Sequence, residues 1–312
     1  MPAAPHPPDA SDDRRRGLLY GGAAYLIWGI FPLYFPLLEP ASPLEILANR
    51  IVWSLVVVVV ILALTRSWSW IPPLLHDRRR LALLGAAAAV IAVNWGVYIY
   101  GVNSEQVVQT SLGYFINPLV SILFAVVLLH ERLRTWQWVA VGLGAAAVVV
   151  LTVDYGGLPW IALVLAFSFG TYGLVKKTLG MGAVQSLAGE TALLFLPALG
   201  VLVLLQAQAD GTMTSDGPGH TALLVSTGIV TAIPLLFFGA AAIRIPLSWL
   251  GLLQYSAPVL QFLIGVVVYD EPMPPSRWIG FGLVWAALLL ITVESLTAGR
   301  RGGRVVIEPV TE

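Results

Sequence analysis

SLGYFINPLVSILFAVVLLHERLRTWQWVAVGL, residues 111–143, decides how the rest of the chain is read. It contains an apolar run long enough to span a membrane, a short charged turn and the start of a second run. The pattern returns 140 residues later without a gap: Pro118 matches Pro258, Glu131 matches Glu271, Trp138 matches Trp278 and Gly142 matches Gly282. Leu123, Val126 and Val127 also match Leu263, Val266 and Val267. Apolar matches carry little weight between two greasy helices. The proline, glutamate, tryptophan and glycine at fixed spacing carry more, so the chain reads as two copies of one half.

Composition sets the class. Of 312 residues, 58% are hydrophobic and 11% charged, against about 25% charged in soluble proteins. This is the composition of an integral membrane protein, whose first partner is the lipid bilayer. The net charge of zero gives no sign of a nucleic-acid partner. With no cysteine there is no disulfide, thiolate nucleophile or cysteine-bound metal. His6, His76, His130 and His220 fall in tails, loops or helix ends, so neither a metal nor a cofactor is expected.

Residues 1–16 read as a disordered cytoplasmic tail ending in Arg14, Arg15 and Arg16. The run at 17–37 is long enough to be a retained anchor, with no small-residue cleavage site. Ten spans follow from a ruler of about 20 apolar residues per crossing: 17–37, 44–65, 81–101, 107–129 and 135–152, then 157–175, 184–205, 221–241, 249–269 and 276–295. The first five-helix repeat is 17–152, the second 157–295, and 296–312 is a cytoplasmic tail. With both termini in the cytoplasm, 15 of the 17 lysines and arginines fall inside, Arg277 lies outside and Arg50 lies within a span. That asymmetry is what the positive-inside rule requires. Two copies of a five-helix unit must insert with opposite orientations. The expected fold is therefore an all-α membrane protein of ten helices in two inverted repeats. Such repeats are typical of secondary transporters, with the substrate at their interface near the midplane.

Candidate site residues are the polar and aromatic ones at that interface. Pro118 and Pro258 occupy equivalent points and would free the carbonyls of Tyr114 and Gln254, giving kinks that line a cavity or are satisfied by packing. Asn117, Gln254, Tyr255 and Ser256 sit beside them. Tyr25, Trp28, Phe31 and Tyr34 recur every three residues in the first span, beside Pro32 and Pro36, and Asn94, Trp95 and Tyr98 make a similar patch in the third. These are substrate walls or helix packing. Arg50 and Glu190 are ionisable residues inside spans, where a charge costs about 2.5–3.5 kcal/mol and is usually functional. Both are expected to face a central cavity, as a pair or as substrate and proton contacts, with Glu190 the proton-coupling candidate. Snorkelling of Arg50 to the interface is the competing reading. Glu45 and Glu294 read as interfacial. Glu131 and Glu271 read as turn residues that bind N–H groups at the start of the next helix.

There is no G-x-x-x-x-G-K-[ST] loop, H-E-x-x-H motif, G-x-S-x-G elbow or T-V-G-Y-G filter. ATP-driven pumping by this chain alone and the common hydrolase chemistries are thereby excluded, and an enzyme is not expected. The stretches AAYLIWGIFPLYF (23–35), EILANRIVWS (45–54), SLGYFINPLV (111–120), LLHERLR (128–134), LAFSFGTYGLVKK (165–177), GIVTAIPLLFF (228–238) and LGLLQYSAPVLQFL (250–263) resemble the EamA-domain branch of the drug/metabolite transporter superfamily, in its RarD type. The resemblance implies ten helices, cytoplasmic termini, a cavity from spans 1–4 and 6–9, and export of small organic solutes, with a chloramphenicol-related phenotype. One departure is that His130 and Asp270 replace the glycine of the family's Gly-Glu turn. The reading is a bacterial inner-membrane or plasma-membrane exporter of small organic metabolites or drugs, working by alternating access. Its alternatives are a solute-binding receptor or regulator without transport, and an intramembrane enzyme. Small residues at 142–147 and 280–282 allow close helix packing within one protomer or in a homodimer.

Overall fold

A computed structural model describes residues 10–129 and 134–302, and every regular element among them is helical. Helix α1 (Ala10–Gly29) leads into the short α2 (Phe31–Tyr34) and one 3-10 turn (Phe35–Leu38). Then come α3 (Pro43–Thr65), the short α4 (Ile71–His76), α5 (Arg78–Asn103) and α6 (Val107–Leu129). They are followed by α7 (Thr135–Asp154), α8 (Trp160–Leu179), α9 (Ala183–Ala207) and α10 (Gly217–Ala242). Helices α11 (Leu247–Leu253) and α12 (Ser256–Val267) form one broken length before α13 (Pro275–Gly302).

Eight helical lengths among the described residues are long and apolar enough to cross a membrane. They are α3, α5, α6, α7, α9, α10, α11 with α12, and α13. A ninth is added if α1 and the segment through Leu38 are one span bent by 45°. The bend follows from Pro32 and Pro36, which remove backbone donors. Helix α8 has twenty residues, with Lys176 and Lys177 in its last turn, and it falls outside that set. The outer faces fit a lipid solvent: Leu196 is 74% and Val153 78% exposed. Those side chains meet hydrocarbon at no cost because the helices pair their own backbone groups.

Helix ends follow local chemistry. The Ser42 hydroxyl accepts the Glu45 N–H at 3.2 Å and starts α3 beside Pro43. Asp77 accepts the Arg80 N–H at 3.0 Å and starts α5. Gly180, at φ 63°, closes α8 in the left-handed conformation. Helix α3 packs against α9 and α10, α1 against α10 and α12, α5 against α8 and α9, α6 against α8 and α12, and α7 against α13. Two of the small residues noted above are used within the protomer. A Cβ on Gly144 would meet Leu119 at 2.5 Å, and one on Gly280 would meet Leu151 at 2.5 Å.

Helices extend into both segments expected as tails. Helix α1 begins at Ala10, inside the expected disordered tail. Its first turns are tied down: the Arg244 Nε donates to Asp13 at 3.1 Å, and the Arg14 guanidinium lies 4.6 Å over the Trp249 ring. Helix α13 likewise runs to Gly302, past the expected start of the second tail. Residues 1–9 and 303–312 lie outside the described residues, as do His130 and Glu131.

Candidate functional site

Arg50 sits in α3 and is 4% exposed, so it does not snorkel. Its Nε donates to the Thr231 hydroxyl of α10 at 2.9 Å. That hydroxyl in turn donates to the Thr227 carbonyl at 2.8 Å, which leaves it an acceptor for the arginine. The Trp95 ring of α5 stacks on the guanidinium at 4.2 Å, and Phe31 and Phe35 flank it at 5.6 and 5.7 Å. Cation–π contact of this kind offsets part of the lost hydration. The bend after α1 makes the arrangement possible, because it turns Phe31 and Phe35 onto the same cluster.

Around this centre the structure gathers several of the expected residues. Tyr98 of α5 packs edge-on to Phe35 and Tyr114, with ring centres 5.9 and 5.7 Å apart. The Tyr114 hydroxyl of α6 donates to Asn94 Oδ1 at 3.3 Å. Asn94 Nδ2 donates to the Ser168 hydroxyl at 2.9 Å and the Leu165 carbonyl at 3.2 Å, tying α5 to α8. Trp28 packs beside the cluster, against Tyr25 and Phe238, and its carbonyl accepts Gln261 Nε2 at 3.0 Å. The Tyr98 hydroxyl there is buried with no hydrogen-bond partner among the described residues, and so is Asn117 Oδ1, which lies beside Gly170 of α8.

Other expected residues lie elsewhere. Glu190 of α9 is 1% exposed and forms its own network. It accepts from the Ser186 hydroxyl at 2.6 Å, the Tyr172 hydroxyl at 3.1 Å and Lys176 Nζ at 3.3 Å. No ion pair among the described residues joins it to Arg50. Gln254 and Tyr255 occupy the break between α11 and α12. The paired prolines behave differently. Helix α6 runs unbroken through Pro118, whereas Pro258 lies in the first turn of α12, where its missing N–H costs nothing.

Two carboxylates are held by partners far along the chain. Glu45, in the first turn of α3, is 1% exposed beneath the polar loop after α9. It accepts the Thr212 and Met213 N–H groups at 2.8 and 3.1 Å and the Thr212 hydroxyl at 3.0 Å, while Thr212 pairs with His220 Nε2 at 2.8 Å. A crevice of about 300 Å³ beside it is lined by Glu45, Asn49, Trp53 and Val203. Glu271 binds backbone N–H groups, but not those of the helix that follows. It accepts from Val107 and from Val108 (3.1 Å) at the start of α6, across the molecule. Gly265 lets the two approach, since a Cβ there would lie 2.8 Å from a Val108 methyl and 3.2 Å from the carboxylate.

Sequence reasoning missed Thr231, Lys176, Tyr172 and Ser186. A buried ionisable residue needs partners, and each of these is a polar residue within a predicted span or at its end. Their pairing has no signature at fixed spacing.

Comparison with known proteins agrees with this architecture. The model of the EamA-like transporter family matches residues 15–153. Protein RarD of Streptomyces exfoliatus is 60% identical, covering 94% of this chain and 93% of its own length. Protein RarD of Escherichia coli K12 is 39% identical over 92% of this chain and 97% of its own. The chloramphenicol-sensitive protein RarD of Pseudomonas aeruginosa is 29% identical over 93% and 97%. A crystal structure of a protein 19% identical superposes with a TM-score of 0.58, covering 90% of this chain and 98% of that one, a likeness of fold alone.

Proposed function

Because the chain belongs to the RarD type of EamA-like transporters, we propose that it is a secondary exporter of small organic metabolites or drugs in the bacterial inner membrane. It works by alternating access around the Arg50 cluster, with ten spans in two inverted halves and both termini in the cytoplasm. The observation that carries this reading is the bond from Arg50 in α3 to Thr231 in α10. That bond joins a buried charge in residues 17–152 to a hydroxyl in 157–295, which fits a solute site at the interface of inverted repeats.

The packing supports inversion. Helices α3 and α9 would be repeat mates and touch each other, as do α7 and α13. The contact of α1 with α10 has its counterpart in α8 with α5, and that of α3 with α10 in α9 with α5. At one end of the α7–α13 pair Asp154 meets Arg277 at 2.9 Å, and at the other Glu294 meets Arg134 at 3.5 Å. Asp154 and Glu294 are 140 residues apart, the repeat offset.

Proton coupling through Glu190 requires that carboxylate to part from Lys176 during the cycle. The printed name of the Pseudomonas relative makes chloramphenicol one solute to test. Flux into sealed proteoliposomes, with and without a pH gradient, tests the reading using chloramphenicol, amino acids and organic acids. Protein-dependent movement of any of them supports it. Binding without flux would instead mark a receptor.

A further inference from the structure

Arg50 is more than nine-tenths buried, yet only one edge of its guanidinium is engaged. Thr231 takes Nε, and Trp95 covers a face at 4.2 Å. Nη1 and Nη2 make no hydrogen bond to any described residue. No described carboxylate lies within 4.0 Å of them, so the charge has no counter-ion among the described residues. The Tyr98 hydroxyl, on a ring packed against the same Phe35, is also buried without a partner. A buried cation and a buried hydroxyl, both unpaired in one cluster, are costly unless something else completes them.

The two free nitrogens present parallel N–H groups along one edge of a planar fork, which matches the two oxygens of a carboxylate. We infer that the solute is a small organic monoanion whose carboxylate docks on Arg50 Nη1 and Nη2, with its apolar body among Phe31, Phe35 and Tyr98. This rests on the transporter reading and narrows it. Arg50 is the one cation the cluster holds among the described residues, so the cluster suits one negative charge. A neutral solute would leave the fork unpaired.

The test is binding to the purified full-length protein in nanodiscs, read by thermal shift and tryptophan fluorescence at constant ionic strength. Benzoate and phenylacetate are compared with benzamide and phenylacetamide, which keep the shape and lose the charge. The acids should bind saturably and about ten-fold or more tighter than the amides, the scale of a charge-assisted hydrogen bond. Arg50→Gln should abolish that preference and Arg50→Lys should retain part of it. If the Arg50 variants fail to fold, Tyr98→Phe, which removes one hydroxyl, should weaken the acids a few-fold and leave the amides unchanged. Equal binding of acids and amides, or no saturable binding of either acid, overturns the inference. Flux measurements separate it from the broader reading. Transport of neutral solutes without preference for acids would sink the carboxylate site and leave the transporter standing. Binding of acids without any flux would do the reverse.

Discussion

Lys176 Nζ lies 3.3 Å from Glu190 Oε1, so these two charges of helices α8 and α9 neutralise each other. Arg50, the charge from the first half, is left with a hydroxyl and aromatic rings. The contrast is between an arginine without an acidic partner among the described residues and a lysine–glutamate pair that ties helix α8 to α9.

Removing one member of a buried ion pair strands the other. Lys176 keeps 22% of its side chain exposed, which softens the effect. Lys176→Met should cost about 1–3 kcal/mol, and adding Glu190→Gln should recover part of that loss. Thermal unfolding of the two single variants and the double variant gives the coupling. Additive losses would mean the pair contributes no net interaction.

Glu271 should make stability depend on pH. Burial pushes its carboxyl up to about 7, against the pull of the Val108 and Val107 N–H groups and of Arg277, while Glu105 pushes the same way as burial. A carboxyl whose folded value is raised holds its proton more tightly when folded. Its contribution is therefore present at low pH and lost as pH rises through about 7. Melting temperatures at about pH 5 and about pH 8 should fall with rising pH in the native protein. In Glu271→Gln the fall should be smaller.

Glu45 anchors the loop after α9 through two N–H groups and a hydroxyl. Glu45→Ala should destabilise the protein by about 2–3 kcal/mol, the scale for hydrogen bonds to a charged group. Hydrogen exchange at the amides of Thr212 and Met213 should accelerate. Unchanged exchange at both would show that the loop does not depend on this carboxylate.

Gly228 lets α10 lie on the backbone of α3. A Cβ there would come within 2.4 Å of the Trp53 carbonyl, and backbone cannot step aside as a flexible side chain can. Gly228→Ala should cost about 1–3 kcal/mol by overpacking. It should also slow flux, because Thr231, one turn further along α10, would shift from Arg50. At Gly85 a Cβ meets nothing within 4 Å, so Gly85→Ala should be neutral in both measurements.

Several members of the candidate cluster were legible as single residues. Arg50, Asn94, Tyr98 and Tyr114 stood out as polar or aromatic groups in apolar runs, and the structure brings them to one cluster. Glu190 stood out for the same reason, yet it joins a different network. The repeat offset aligned Pro118 with Pro258 but said nothing of their positions within a helix. One is interior and the other is in a first turn.

The sequence by itself determined that this is a multi-pass helical membrane protein of the EamA type, because hydrocarbon excludes unpaired backbone and sets a minimum apolar length. Local chemistry also determined helix starts such as Ser42 and Asp77, whose partners lie three residues away. Only the tertiary structure decided that Glu271 caps α6, that Lys176 neutralises Glu190 and that Thr231 receives Arg50. Thr231 is 181 residues from Arg50 and Glu271 163 from Val108. Even Lys176 and Glu190 sit on different helices. Helix packing, not spacing along the chain, chooses such partners.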